Sequence, residues 1–135
     1  MIDGETAQAL AEGYVAYMAS GEDAVMEMFS SAFFDNVSGR SGLDIFQVVR
    51  VWMDQSFDQR SAELHLVTHT EDTVVIWYTV RGRHIGNGFP RLAGRPVKGN
   101  AITWPQVHIF RLSDGLVVEH WAVRDDATLL DAVDA

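Results

Sequence analysis

The sequence predicts an α+β fold: a curved antiparallel sheet with the N-terminal helices packed on one face. Three observations carry this. Apolar residues recur at three and four over the first half of the chain, the pattern changes to alternation beyond Gln59, and the alternating segments are joined by short turns. The 135 residues, 47% hydrophobic, are enough for one core, so residues 1–135 are expected to form a single domain.

The first helix is expected from Thr6 to Ser20, with Ala7, Leu10, Ala11, Tyr14, Tyr17 and Met18 on one face and Gly21 ending it. Glu22 and Asp23 then place negative charge at the start of a second short helix, whose apolar side is Val25, Met26, Met28 and Phe29. An extended stretch through Phe33 to Val37 leads into a loop at Ser38–Gly42, and a third helix follows from about Leu43 to Phe57. The next strand sets Ala62, Leu64, Leu66 and Thr68 against Glu63, His65, Val67 and His69. Glu71-Asp72 turns into a β-branched and aromatic strand, Thr73–His84. Four glycines and two prolines make Ile85–Asn100 a long loop of the length that is usually functional. Strands Ala101–Leu112 and Leu116–Val123 and a short acidic helix complete the chain.

The turn between the last two strands gives a sharper expectation. Read as a three-residue loop with Gly115 in the left-handed region, Ser113-Asp114-Gly115 sets Leu112 opposite Leu116, Phe110 opposite Val118, His108 opposite His120 and Gln106 opposite Ala122. The two histidines are then cross-strand neighbours with Cβ atoms about 5 Å apart, on the face shared by Trp104, Gln106, Phe110, Val118 and Ala122. A two-residue loop sets His108 opposite Trp121 instead. On a concave face this pair suits proton transfer near neutral pH, one ring depressing the pKa of the other. The alternative is a pair of surface or hydrogen-bonded histidines with no chemistry.

Other candidates carry less. His84 either lines the mouth of the same pocket or is solvated at a strand end. His65 and His69 share a strand face about 13 Å apart, too far for one ion, and no spacing supports a metal site of His84, His108 and His120, so no metal site is expected. Gly86-Asn87-Gly88 reads as turn chemistry. Of the four tryptophans, Trp77 and Trp121 fall on the face opposite the helices; an uncovered apolar sheet face there suits an identical subunit. Asp125, Asp126, Asp131 and Asp134 read as a solvated face.

Composition excludes several classes of function. A formal charge of −9 repels a phosphate backbone. With no cysteine there is no disulfide, thiolate metal site or cysteine nucleophile. No signal peptide or membrane span is evident, so a soluble, cytoplasmic protein is expected.

The segment from Asp72-Thr73-Val74-Val75 to Arg81-Gly82-Arg83-His84-Ile85-Gly86 resembles a strand of the SnoaL-like polyketide cyclases, or ester cyclases. The tail carries the resemblance further: Gly94-Arg95-Pro96-Val97-Lys98-Gly99, His108-Ile109-Phe110-Arg111, Asp114-Gly115 and Glu119-His120-Trp121-Ala122-Val123-Arg124-Asp125 are similar to that family's last hairpin in order and spacing. Ser56-Phe57-Asp58 echoes its Phe-Pro-Asp. The resemblance implies a cone-shaped barrel of the nuclear-transport-factor-2-like superfamily, commonly dimeric, with a pocket between sheet and helices. It also implies a cofactor-free intramolecular aldol closure of a polyketide ester. The family's strand histidine falls on His108, its catalytic aspartate on Ala122 and a third polar position on Asn36.

The resulting expectation is an acid–base enzyme for an enolisable, ring-containing small molecule, of isomerase or lyase type. His108 is the base or acid, and His120 and Asn36 tune it. Phe34, His84, Trp104, Gln106 and Ala122 shape the pocket. Replacing His108 by alanine is expected to abolish turnover with little change in melting temperature. The alternatives are a hydroxylase-, isomerase- or hydrolase-like relative, and a ligand-binding or purely dimerising module.

Overall fold

The computed structural model describes residues 2–135. Helix α1 (Gly4–Ser20) starts where the Asp3 side chain accepts from the Thr6 amide at 2.7 Å and stops at Gly21, whose φ of 75° only glycine adopts without strain. The second helix of the sequence reading is a 3-10 segment, Ala24–Met28, and Phe29 already opens strand β1 (Phe29–Asp35). A two-residue strand β2 (Arg40–Ser41) precedes helix α2 (Asp44–Ser56). Strands β3 (Phe57–His69), β4 (Thr73–His84), β5 (Ala101–Ser113) and β6 (Leu116–Arg124) follow, with helix α3 (Asp126–Asp134) last.

The six strands lie in the order β2-β1-β6-β5-β4-β3. Every neighbouring pair is antiparallel except β1 and β6, which run parallel with Asp35 beside His120. The sheet is therefore mixed rather than wholly antiparallel, and it is open, with β2 and β3 as its edges, rather than a closed barrel. Among the described residues, no helix is long and apolar enough to cross a membrane.

Helix α1 buries the face read from its sequence, with Leu10, Ala11 and Tyr14 against the inner face of the sheet. That inner face holds Val74, Ile76, Tyr78 and Val80 of β4 and Trp104, Gln106, His108, Phe110 and Leu112 of β5. Burying this much aromatic and branched surface is the main stabilising term, and any polar group placed there must find its partners inside.

Strand β3 departs from simple alternation. Register shifts between Asp58 and Ser61 and between Leu64 and Leu66 mark two bulges. The second turns Leu66 outward, 51% exposed, while Val67 joins Ala62 and Leu64 against the core.

Strands β5 and β6 also differ from the expected register. The loop is the two-residue Asp114-Gly115, with φ of 51° and 79°, the doubly positive form that matches strand twist. Ser113 pairs with Leu116 and Leu112 with Val117, but a bulge follows, so that Arg111 pairs with Glu119 and His108 with Ala122. The three-residue loop is thus replaced by a tighter turn, and the bulge shifts the register by one. His108 and His120 become diagonal rather than direct neighbours, still on one face.

Candidate functional site

The shared face brings two imidazoles into contact. Nδ1 of His108 lies 2.7 Å from Nε2 of His120, and Nδ1 of His120 lies 2.9 Å from Oδ1 of Asp35. Beyond His108, its Nε2 lies 3.0 Å from the Tyr78 hydroxyl and 2.7 Å from Oε1 of Gln106. The result is a continuous buried chain from Asp35 through His120 and His108 to Tyr78 and Gln106, drawn from β1, β6, β5 and β4.

Asp35 is the member that sequence reasoning missed. In β1 it alternates with Phe34 and so shares the buried side of Phe33. Its Oδ1 also accepts from the Val37 amide, and its Oδ2 accepts from the amide and hydroxyl of Ser38. Burial pushes this carboxyl up, but the hydrogen bonds from His120, Ser38 and Val37 outweigh it and bring the pKa to about 2.

Those partners fix the protons. Ionised Asp35 only accepts, so Nδ1 of His120 carries a proton. Burial pushes His120 below the usual imidazole range despite the pull of Asp35, and His108 is pushed well below it by burial, then by His120 and Arg124. With both rings neutral, Nδ1–H of His108 donates to Nε2 of His120, and Nε2 of His108 is left as acceptor for the hydroxyl of Tyr78. Burial raises that phenol well above its ordinary value, so it stays a donor.

The amide of Gln106 distinguishes a second arrangement. Its Oε1 faces Nε2 of His108 and accepts from Tyr78 at 2.8 Å, while its buried Nε2 has no partner. Two acceptors at 2.7 Å do not attract, so this orientation fits one added proton. Nε2–H of His108 then donates to Gln106, Nε2–H of His120 donates to His108, and the positive charge rests on His120 against Asp35. Turning the amide over suits the neutral chain and gives Gln106 Nε2 an acceptor. A proton entering at His108 thus emerges as charge one ring away.

A cavity of about 50 Å³ lies beside the chain, widening to about 410 Å³ of non-atom space when the open solvent at its mouth is counted. Asp35, Ser38 and Arg124 are its polar lining, and Trp52, Phe89 and Trp104 are its aromatic walls. Trp104 is fixed by its indole N–H, which donates to Asp126 Oδ1 at 3.0 Å. His108 and His120 are closed off from solvent, at 0% and 3% exposure, and neither ring lines the cavity.

The remaining sequence candidates fall elsewhere. Ala122 sits opposite His108 on the inner face and supplies no carboxylate. Phe34 pairs with Ser41 and Glu119 on the other side of β1, outside the cavity, because alternation sends it opposite to Phe33 and Asp35. Asn36 is exposed and ties β1 to β6 through Glu119 Oε2 and the His120 carbonyl. His84 is neither solvated nor at the cavity. It is fully buried, with Nε2 2.8 Å from Asn87 Oδ1, and Asn87 in turn donates to the Arg95 carbonyl, which pins the glycine-rich loop. Among the described residues, no three His, Asp or Glu side chains gather to hold a metal ion.

The sequence profile of the SnoaL-like polyketide cyclases matches residues 8–133. The chain belongs to that family. None of the curated proteins matches it. Solved structures of the same fold include TsrD from Streptomyces laurentii, 22% identical over 98% of both chains with a TM-score of 0.83. AclR from Streptomyces galilaeus, a proposed hydroxylase, is 24% identical over 97% of both chains with a TM-score of 0.78. IdmH from Streptomyces antibioticus, a proposed polyketide cyclase, is 19% identical over 95% of this chain and 98% of its own, with a TM-score of 0.69. At these identities the likeness is one of fold.

Proposed function

We propose that this SnoaL-like chain, acting as one domain, is a cofactor-independent acid–base enzyme for a small, ring-containing, enolisable molecule, with intramolecular aldol closure of a polyketide-like ester as its reaction. The observation that carries this reading is the unbroken chain Asp35–His120–His108. In this reading the substrate displaces the Tyr78 hydroxyl from Nε2 of His108, the one ring nitrogen whose lone pair is not used within the pair, and that nitrogen takes a carbon-bound proton. The proton on Nδ1 of His108 moves to His120, where Asp35 stabilises the charge. The enolate attacks a carbonyl carbon, and the new alkoxide recovers the proton from the same chain, so atoms and charge balance without a cofactor. The chain supplies from β1 the carboxylate that Ala122 lacks.

The enclosure of both rings favours a second reading, a module that binds the same ligand without turnover. The two differ in proton exchange. With 1-tetralone in deuterium oxide as probe, the enzyme reading expects α-deuteration above the buffer rate, reduced at least about tenfold in His120→Asn. Binding of 1-tetralone with exchange at the buffer rate overturns the enzyme reading and leaves the second.

We also infer a second copy of this chain on the outer face of the sheet. Trp77, Val107 and Val123 form a row across β4, β5 and β6, and Trp77 and Val123 are 46% and 72% exposed. Burying such a row against its copy fits an isologous dimer.

A further inference from the structure

Arg124 stands out among the basic residues. Arg60, Arg81, Arg83, Arg91, Arg95 and Arg111 each pair with a carboxylate, whereas Arg40, Arg50 and Arg124 have no carboxylate partner among the described residues, and of these three Arg124 is the one that lines the cavity. Its Nε is buried with no hydrogen-bond partner. A buried guanidinium nitrogen left without an acceptor is costly, and a ligand acceptor in the adjoining cavity would offset that cost.

The surroundings hold this cation in place without neutralising it. Its guanidinium carbon lies 5.9 Å from the centre of the Trp104 ring, a favourable cation–π placement. Asp35 lines the same cavity, but its oxygens already accept from His120, Val37 and Ser38. Ala122, two residues before Arg124 on the same face of β6, is where a carboxylate would meet it, and alanine leaves that place empty of charge. The cavity therefore offers a ring-stacking wall with an unpaired planar cation across it.

Resting on the ring-shaped ligand proposed above, and placing that ligand in this cavity, we propose that Arg124 anchors a carboxylate it carries, making this a site for aromatic or alicyclic acids rather than for neutral ketones and esters alone. The planar fork of arginine matches a carboxylate through two parallel hydrogen bonds, which gives orientation as well as affinity. Pinning the acid end at Arg124 leaves the rest of the ring against Trp104 and Phe89, toward Asp35.

Calorimetric titration of the full chain with benzoate and 2-naphthoate, against the isosteric benzamide and 2-naphthamide, tests this. The acids are expected to bind at least about tenfold more tightly than the amides. Arg124→Met removes that preference, and Arg124→Lys retains part of it. Ala122→Asp, which supplies an internal carboxylate, weakens the acids about tenfold without weakening the amides, while Ala122→Asn leaves both unchanged. The Ala122 pair keeps the test decisive where Arg124→Met fails to fold. Equal binding of acid and amide by the unaltered chain overturns the role of Arg124 and leaves the cavity as a ligand site. No binding of any of the four overturns both.

Discussion

Nε2 of His120 and Nδ1 of His108 share one proton across 2.7 Å, with the two rings inclined by 25° and their centres 4.9 Å apart. Because both rings are held below the ordinary imidazole range by burial, the unfolded chain binds more protons than the folded one as pH falls below about 6.5. Stability is therefore expected to be full near neutral pH and to decline on acidification from pH 7 to 5. The limiting slope is about 1.4 kcal/mol per pH unit for each histidine that titrates on unfolding. Urea unfolding at a series of pH values measures it, and a stability that is flat from pH 7 to 5 contradicts neutral burial of the pair.

Replacing His108 by alanine is expected to cost stability as well as turnover, contrary to what the sequence suggests. The change strips a partner from His120, Tyr78 and Gln106 in a fully enclosed site. A loss of about 2–4 kcal/mol is expected in chemical denaturation from the unpaired groups and the cavity. A loss under about 0.5 kcal/mol would mean that the site relaxes or admits water.

Asp35→Asn tests the anchor of the chain. The carboxylate closes the turn at Val37 and Ser38 and orients His120, so its loss is expected to cost about 2 kcal/mol at pH 7. The folded pKa is depressed to about 2 from the ordinary 3.8. The contribution of ionised Asp35 is thus present above pH 3.8 and disappears as pH falls toward 2. The difference between the two proteins in urea unfolding should be as large at pH 5 as at pH 7 and should shrink below pH 4. A difference independent of pH down to 2 would assign Asp35 a role that does not need its charge.

The outer row of the sheet gives a prediction on assembly. Trp77→Lys combined with Val123→Lys places two cations on the exposed apolar row and is expected to convert a dimer to a monomer in sedimentation equilibrium, with the far-ultraviolet dichroism unchanged. A monomer before substitution, or a dimer after it, excludes this face as the interface.

The helical periodicity of α1 and the turn residues made most of the fold readable in the sequence, since a buried stripe and a glycine at positive φ have few alternatives. What escaped depended on contacts between distant segments. The parallel docking of β1 on β6 sets Asp35 beside His120 across 85 positions of sequence, and no local pattern marks it. Alternation from Phe33 did signal Asp35, because an aspartate on the apolar side of a strand is rare unless it is paired. The hairpin register is hidden in the sequence for a different reason. Bulges insert a residue without a sequence signature of their own, and the one in β6 restores the facing of His120 that a plain two-residue turn would have reversed. A bulge likewise turns Leu66 of β3 to the face opposite the one that alternation predicts. Arg124 carries no signal in the sequence, because its significance lies in the missing partner, which only the packed structure reveals.

The most direct test of the Asp35–His120–His108 chain is nitrogen-15 NMR of the histidine rings across a pH titration, with His108→Asn and His120→Asn used for assignment. Both rings are expected to be neutral with protonated Nδ1 at pH 7 and to take up their first shared proton together, well below the ordinary range. Its charge is expected to appear on His120, and replacing either ring should alter the titration of the other. Two independent titrations near pH 6.5, each unaffected by loss of the other histidine, would contradict the account.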